Sequence, residues 1–170
     1  FNIAESNVGR TNKNPSVGCV IVKNNSVISS GVTSINGRPH AEYNALSKNL
    51  NFKDAYMYVT LEPCTHYGIT PPCTNLIKKK RVKKVYYCFE DPDIRTYKKA
   101  KIVLNNRIKK IKKIDDRNKD FYKSYFFIRK NKLPYITAKL ACSNDYYIYS
   151  KKNRNITNEL SRKTSHLLRY

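Results

Sequence analysis

The chain has 170 residues, 40% of them hydrophobic and 27% charged, a mix that supplies a packed core and excludes disorder throughout. No uninterrupted apolar run approaches the length of a membrane span, and no signal peptide is evident. The formal charge of +22 would suit nucleic acid, a phosphorylated ligand or an anionic surface. The lysines, however, are scattered and lack the glycine–aromatic pattern of a single-strand RNA platform, so compositional drift toward Lys, Asn, Ile and Tyr is the better reading.

The chain opens on Phe1 rather than Met, which reads as a fragment of a longer protein. Residues 3–9 carry a weak helical pattern. The apolar run 17–22 (VGCVIV) predicts a strand buried on both faces, KNNS at 23–26 a turn, and 27–33 the second arm of a hairpin. Residues 39–50 predict a helix with Pro39 at its start and Ala41 and Ala45 on one face, small enough for close packing on a sheet. Residues 56–61 (YMYVTL) predict a strand. Residues 73–80 predict a helix with Cys73, Leu76 and Ile77 facing inward, and 82–89 a further strand. A helix at roughly 94–105, a basic strand at 107–114 and a helix at 115–127 complete the pattern. RKNKLP at 129–134 reads as a linker, 135–142 as a new buried strand, and 157–170 as a helix. A hairpin followed by alternating helices and strands argues for a mixed sheet with helices on both faces, an α/β fold whose ligands bind beyond the carboxyl ends of the strands.

There are five cysteines, an odd number, in a chain that reads as intracellular and cytoplasmic; this argues against a disulfide framework. Cys19, Cys88 and Cys142 lie in apolar runs and read as small core residues. Cys64 and Cys73 differ. They bracket the stiff stretch PCTHYGITPPC, each preceded by proline, with eight residues between them. In a reducing compartment such a pair suits a metal better than a disulfide. Zinc takes thiolate and imidazole ligands in a tetrahedral shell, and a third ligand is available at His40, which opens a helix. Two Cys and one His leave a fourth position for water, the mark of a catalytic site. Glu42, two residues after His40, then stands as acid/base and not as ligand, in the order H-x-E…P-C that marks zinc deaminases. Taken singly, His40 could bond a backbone carbonyl, Glu42 could favour a helix's first turn, and both cysteines could be core thiols; the four together, in this order, point to a site.

The segments NPSVGCVIV, GRPHAEYNAL, YVTLEPCTHYGITPPCTNLI and DPD together resemble the deaminase domain of the bifunctional riboflavin-biosynthesis deaminase/reductase family. The similarity covers roughly residues 1–128, and 135–170 resemble the incomplete N-terminal part of that family's reductase domain. The resemblance implies a three-layer α/β/α cytidine-deaminase-like fold. It implies hydrolytic deamination of 2,5-diamino-6-ribosylamino-4(3H)-pyrimidinone 5′-phosphate to 5-amino-6-ribosylaminouracil 5′-phosphate and ammonia. Zn²⁺ would be held by His40, Cys64 and Cys73, Glu42 would move the protons, and Asn14, His66 and Asp93 would meet the substrate. Lys139, Ser143, Asp145 and Arg169 match reductase positions, and NADPH enters only with a full-length reductase domain, so no reductase activity is expected of this chain. The expected partner is a small pyrimidine ribosyl phosphate, not nucleic acid and not a membrane, and a homo-oligomer is compatible.

The sequence departs from the family at several positions. Ile69 stands where a basic residue would meet the substrate phosphate, which leaves Arg95, Lys98 or Lys99 in the altered loop to reach it. Tyr146 and Asn155 replace a glycine and a tryptophan. Two other readings are a nucleotide or tRNA-base deaminase and a basic nucleic-acid-binding module with a structural zinc. The long Cys spacing and internal HYG speak against the tRNA enzymes, and the presence of Glu42 against a purely structural zinc.

Overall fold

The computed structural model describes residues 1–149, 151 and 156–167. They form two compact units, Phe1–Pro134 and Tyr135–Tyr170, of which the first carries the sheet.

The first unit is built on five strands: β1 (Gly18–Lys23), β2 (Ser26–Val32), β3 (Tyr56–Leu61), β4 (Lys84–Phe89) and β5 (Ile108–Lys110). Their order across the sheet is β2-β1-β3-β4-β5. β1 runs antiparallel to both β2 and β3, whereas β3, β4 and β5 are parallel. The hairpin turns on Asn24 and Asn25, both at positive φ, as a two-residue turn requires to follow the strand twist. Strands 56–61 and the hairpin lie where the sequence places them. β1 is not buried on both faces, however: Val20 and Val22 are half-buried, and beside them Tyr58 stacks on Tyr86 with ring centroids 5.1 Å apart.

The helices are α1 (Asn2–Glu5), α2 (Ala41–Leu46), α3 (Cys73–Lys79), α4 (Ala100–Val103) and α5 (Lys123–Asn131). On one face of the sheet, Cys19, Ile21, Met57, Val59 and Val85 form the core, and α2 packs here. Its approach is very close. A Cβ on Gly31 of β2 would lie 2.4 Å from the Ala41 carbonyl oxygen and 2.6 Å from the Ala45 amide nitrogen. On the other face Gly18 touches Ala4 of α1, and Thr60 meets Tyr122 just before α5. Phe1, Phe89, Phe121 and Phe126 extend this contact as an aromatic cluster of edge-on rings.

Several expected helices are shorter or displaced. α2 ends at Leu46 rather than residue 50, and its N-cap is His40, not Pro39. α3 buries Thr74 along with Cys73 and Ile77, while Leu76 only packs against the core edge. Residues 94–99 form turns, so the helix expected over 94–105 shrinks to α4. α5 begins at Lys123 and continues through Asn131, into the stretch that reads as a linker. Of the three supposed core cysteines, Cys19 is buried, Cys88 is half-buried and Cys142 is exposed.

In the second unit residues 135–142 form no strand and are exposed, contrary to the apolar pattern of their sequence. A helix, α6 (Glu159–Leu167), follows. No helix of the described residues is long and apolar enough to cross a membrane.

Candidate active site

The carboxyl end of β3 and the starts of α2 and α3 converge on three ligand-type side chains. β3 runs out at Leu61, and the Glu62 amide donates to the Phe89 carbonyl at 2.8 Å, which ties the outgoing chain to β4. Pro63 is buried and Cys64 follows it. The chain returns through Pro71 and Pro72, whose extended backbone (φ −62°, ψ 143°) leads into α3. There the Cys73 amide donates to Cys64 Sγ at 3.2 Å, and the Thr74 amide and hydroxyl both donate to the Cys64 carbonyl. The irregular segment after β3 is thus fastened to the first turn of α3, cysteine on cysteine. His40 caps α2 from an extended conformation. The Asn44 side chain pins that helix to the end of the hairpin by donating to the Val32 carbonyl at 2.7 Å.

His40 Nδ1 lies 3.6 Å from Cys64 Sγ and 3.5 Å from Cys73 Sγ. A tetrahedral zinc with bonds of about 2.3 Å to sulfur and about 2.0 Å to nitrogen sets its sulfur–nitrogen edges at roughly 3.5–3.6 Å. The three donor atoms all fall within 4.8 Å of one another, and theirs is the one such cluster among the described residues. The donor set and its spacing fit zinc.

The Cys73 side chain hydrogen-bonded to it, together with His40, holds the Cys64 thiol down at about 4. The same contact and burial push the Cys73 thiol up. The hydrogen bond to Cys64 raises His40. Glu42, 4% exposed in the first turn of α2, is pushed above the ordinary carboxylate range, mainly by burial and then by the Cys64 charge. A group of that kind holds a proton near neutrality and can pass it on.

A cavity of about 260 Å³ opens in front of the cluster. It brings together His40, Glu42 and Cys64 with Asn14, His66 and Asp93. The polar side chains on its wall are held in place. Asn14 Nδ2 donates to the Gly37 carbonyl at 2.8 Å, and His66 Nδ1 pairs with the Thr96 hydroxyl at 3.0 Å. Asp93 grips Arg95 through Nε (2.9 Å) and Nη2 (2.5 Å), and this pairing holds its carboxyl well below the usual range. Ile69 borders the cavity but is 88% exposed. Lys98 and Lys99, expected to reach into the site, do not line it. The Lys98 amide instead donates to Glu62, as does the Ala100 amide, so a buried carboxylate anchors the loop that carries Arg95.

Several lining residues escape the sequence reading: Arg38, Glu62, Asp91, Tyr125 and Arg129. Arg38 lies two residues before His40, but what makes it part of the site is its contact with Thr70, far along the chain. Tyr125 and Arg129 come from α5, far away in the chain, and no local pattern announces them. Of the reductase-side candidates, Lys139 Nζ donates to the Ser161 carbonyl at 3.4 Å and the Ser143 hydroxyl bonds the Asp145 carboxylate, both within the second unit. Arg169 lies outside the described residues.

Comparison with known proteins adds a family. Residues 2–89 match the model described as the cytidine and deoxycytidylate deaminase zinc-binding region. Riboflavin biosynthesis protein RibD of Aquifex aeolicus is 34% identical over 174 aligned positions, covering 99% of this chain and 49% of that protein. RibD of Bacillus amyloliquefaciens is 36% identical, covering 84% of this chain and 39% of that protein. Among solved structures, a diaminohydroxyphosphoribosylaminopyrimidine deaminase/5-amino-6-(5-phosphoribosylamino)uracil reductase from Thermotoga maritima superposes with a TM-score of 0.85 at 31% identity. It covers 98% of this chain and 50% of that one. The chain thus spans about half the length of the relatives it matches.

Proposed function

Because this chain belongs to the cytidine and deoxycytidylate deaminase family, we propose that it hydrolyses the 2-amino group of 2,5-diamino-6-ribosylamino-4(3H)-pyrimidinone 5′-phosphate, releasing ammonia. The observation that carries the reading is the triangle of His40, Cys64 and Cys73 with a buried Glu42 beside it, opening on a cavity sized for one small molecule. The choice of substrate within the family is supported by the identity to RibD proteins across nearly the whole chain.

His40, Cys64 and Cys73 would hold zinc, which supplies a Lewis acid that lowers the pKa of a water molecule at neutral pH. Glu42 accepts one proton of the attacking water and delivers it to the ring nitrogen; it then takes the remaining proton of the hydroxyl added at the ring carbon and delivers it to the amine as the carbon–nitrogen bond breaks and the carbonyl forms. Its burial serves that sequence, because a carboxyl with a raised pKa gives a proton back as readily as it takes one. Asn14, His66 and Asp93 border the same cavity and would orient the pyrimidine and its ribosyl chain.

The test is ammonia release by the purified, zinc-loaded chain from the diaminopyrimidinone phosphate, run beside cytidine, dCMP and RNA. Turnover of the pyrimidinone phosphate above the other three is the expected result. Faster turnover of dCMP or of an RNA base would replace the reading with a nucleotide or tRNA-type deaminase.

A further inference from the structure

Three arginines line the cavity, and they are not equivalent. Arg95 has closed its guanidinium fork on Asp93 in a two-point ion pair. Arg129 lies over the Tyr125 ring, 5.4 Å from its centroid, and the Tyr125 hydroxyl donates to the buried Asp91 carboxylate. The Arg95 charge is thus met by a carboxylate, whereas Arg129 has no ion pair among the described residues and rests its guanidinium on a ring of the cavity wall. Arg38 has no ion pair among the described residues. Its Nη1 donates to the Thr70 hydroxyl at 2.6 Å, and its Nη2 comes within 3.4 Å of the point where a Cβ on Gly68 would stand. A guanidinium carries five N–H donors in a rigid fork, and one hydroxyl occupies only one of them.

The location is specific. Arg38 crosses from the segment before α2 to the Gly68–Thr70 loop. Ile69 turns into solvent, so it neither supplies a donor nor fills the corner. The end of the fork lies beside Gly68 at van der Waals range. Arg38 and the candidate ligand His40 both line the cavity.

We propose that Arg38, held by Thr70 against Gly68, is the residue that binds the phosphate of the substrate, a specificity role that rests on the pyrimidine-phosphate reading above. A phosphate presents the paired oxygens that a guanidinium fork matches, and the bond is charge-assisted on both sides. The general field of a +22 chain hastens encounter but supplies no positioned donor; Arg38 supplies one.

The zinc-loaded chain is titrated with ribose 5-phosphate, and the wild type is compared with Arg38→Gln, Arg38→Lys and Arg38→Ala, with zinc content and thermal melting as controls. Arg38→Gln keeps a stem and a polar head for Thr70 and removes the charge. Affinity is expected to fall about tenfold or more in Arg38→Gln and Arg38→Ala and to recover in part in Arg38→Lys. In steady state the same loss appears in KM for the phosphorylated pyrimidinone, with kcat far less affected and with KM for the dephosphorylated compound nearly unmoved. Ribose 5-phosphate binding within about twofold of wild type in both Arg38→Gln and Arg38→Ala overturns the proposal, as does a wild type that does not bind it. A wild type that binds the sugar phosphate through Arg38 but deaminates neither pyrimidinone would refute the substrate reading and leave the anion site standing.

Discussion

The hydroxyl of Tyr122 donates to the carbonyl of Ser16, 106 residues away in the sequence, at 3.0 Å. The same oxygen lies 2.6 Å from the Thr60 hydroxyl, which in turn accepts the Gly18 amide at 3.1 Å. One buried phenol therefore joins the start of β1, the middle of the sheet and the approach to α5. Burial keeps that phenol protonated far above neutral pH, so it is a permanent donor. Tyr122→Phe leaves the Ser16 carbonyl and the Thr60 hydroxyl short of a partner in a dry place. The expected loss is about 1–3 kcal/mol of stability, seen as a lower urea midpoint with an unchanged slope.

The Cys64 and Cys73 segments are also tied by the Thr74 amide and hydroxyl donating to the Cys64 carbonyl, bonds that neither thiol makes, so each serine variant should still fold. What each should lose is the third donor of the triangle. Elemental analysis is expected to give one zinc per chain in the wild type and a clear deficit in Cys64→Ser and in Cys73→Ser. Full zinc content in both would place the metal elsewhere.

Glu42→Gln preserves shape and hydrogen-bonding capacity in the first turn of α2 but cannot carry a proton. Zinc content and melting temperature should stay close to wild type while turnover falls by roughly 10²–10⁴-fold. Turnover near the wild-type rate would mean that another titratable group on the cavity wall moves the protons.

Much of this site is legible because its chemistry is local. His40 and Glu42 sit two residues apart, and Cys64 follows directly from a strand whose limits, Tyr56 to Leu61, can be read from its composition. The prolines at 63, 71 and 72 announce stiff backbone around both thiols. What sequence reading loses is whatever depends on distant chain. The run at 135–142 is apolar enough for a buried strand, yet alternation cannot say whether a neighbouring strand exists to receive it, and here the run is exposed. Cys142 is misread with it. Helix limits fail for a related reason. Residues 94–99 have the composition of a helix, but the Glu62 carboxylate collects the amides of Lys98 and Ala100 and shapes that stretch as turns. Arg38 is hidden because its importance depends on where Thr70 and Gly68 come to rest.

Gly31 lies on β2, and its α-carbon faces the backbone of α2 with no side chain between. That contact acts as a distance gauge. α2 carries His40 at its cap and Glu42 in its first turn, so the gap between two backbones sets how far both project toward the cysteines. A single added methyl would have nowhere to go, since carbonyl oxygen and amide nitrogen cannot rotate aside as a side chain can. The helix would ride up by the thickness of that methyl, and a ligand triangle tuned to a few tenths of an ångström would open at one corner. Variation at this glycine would thus register as a defect in metal capture as well as in the packing of α2 on the sheet.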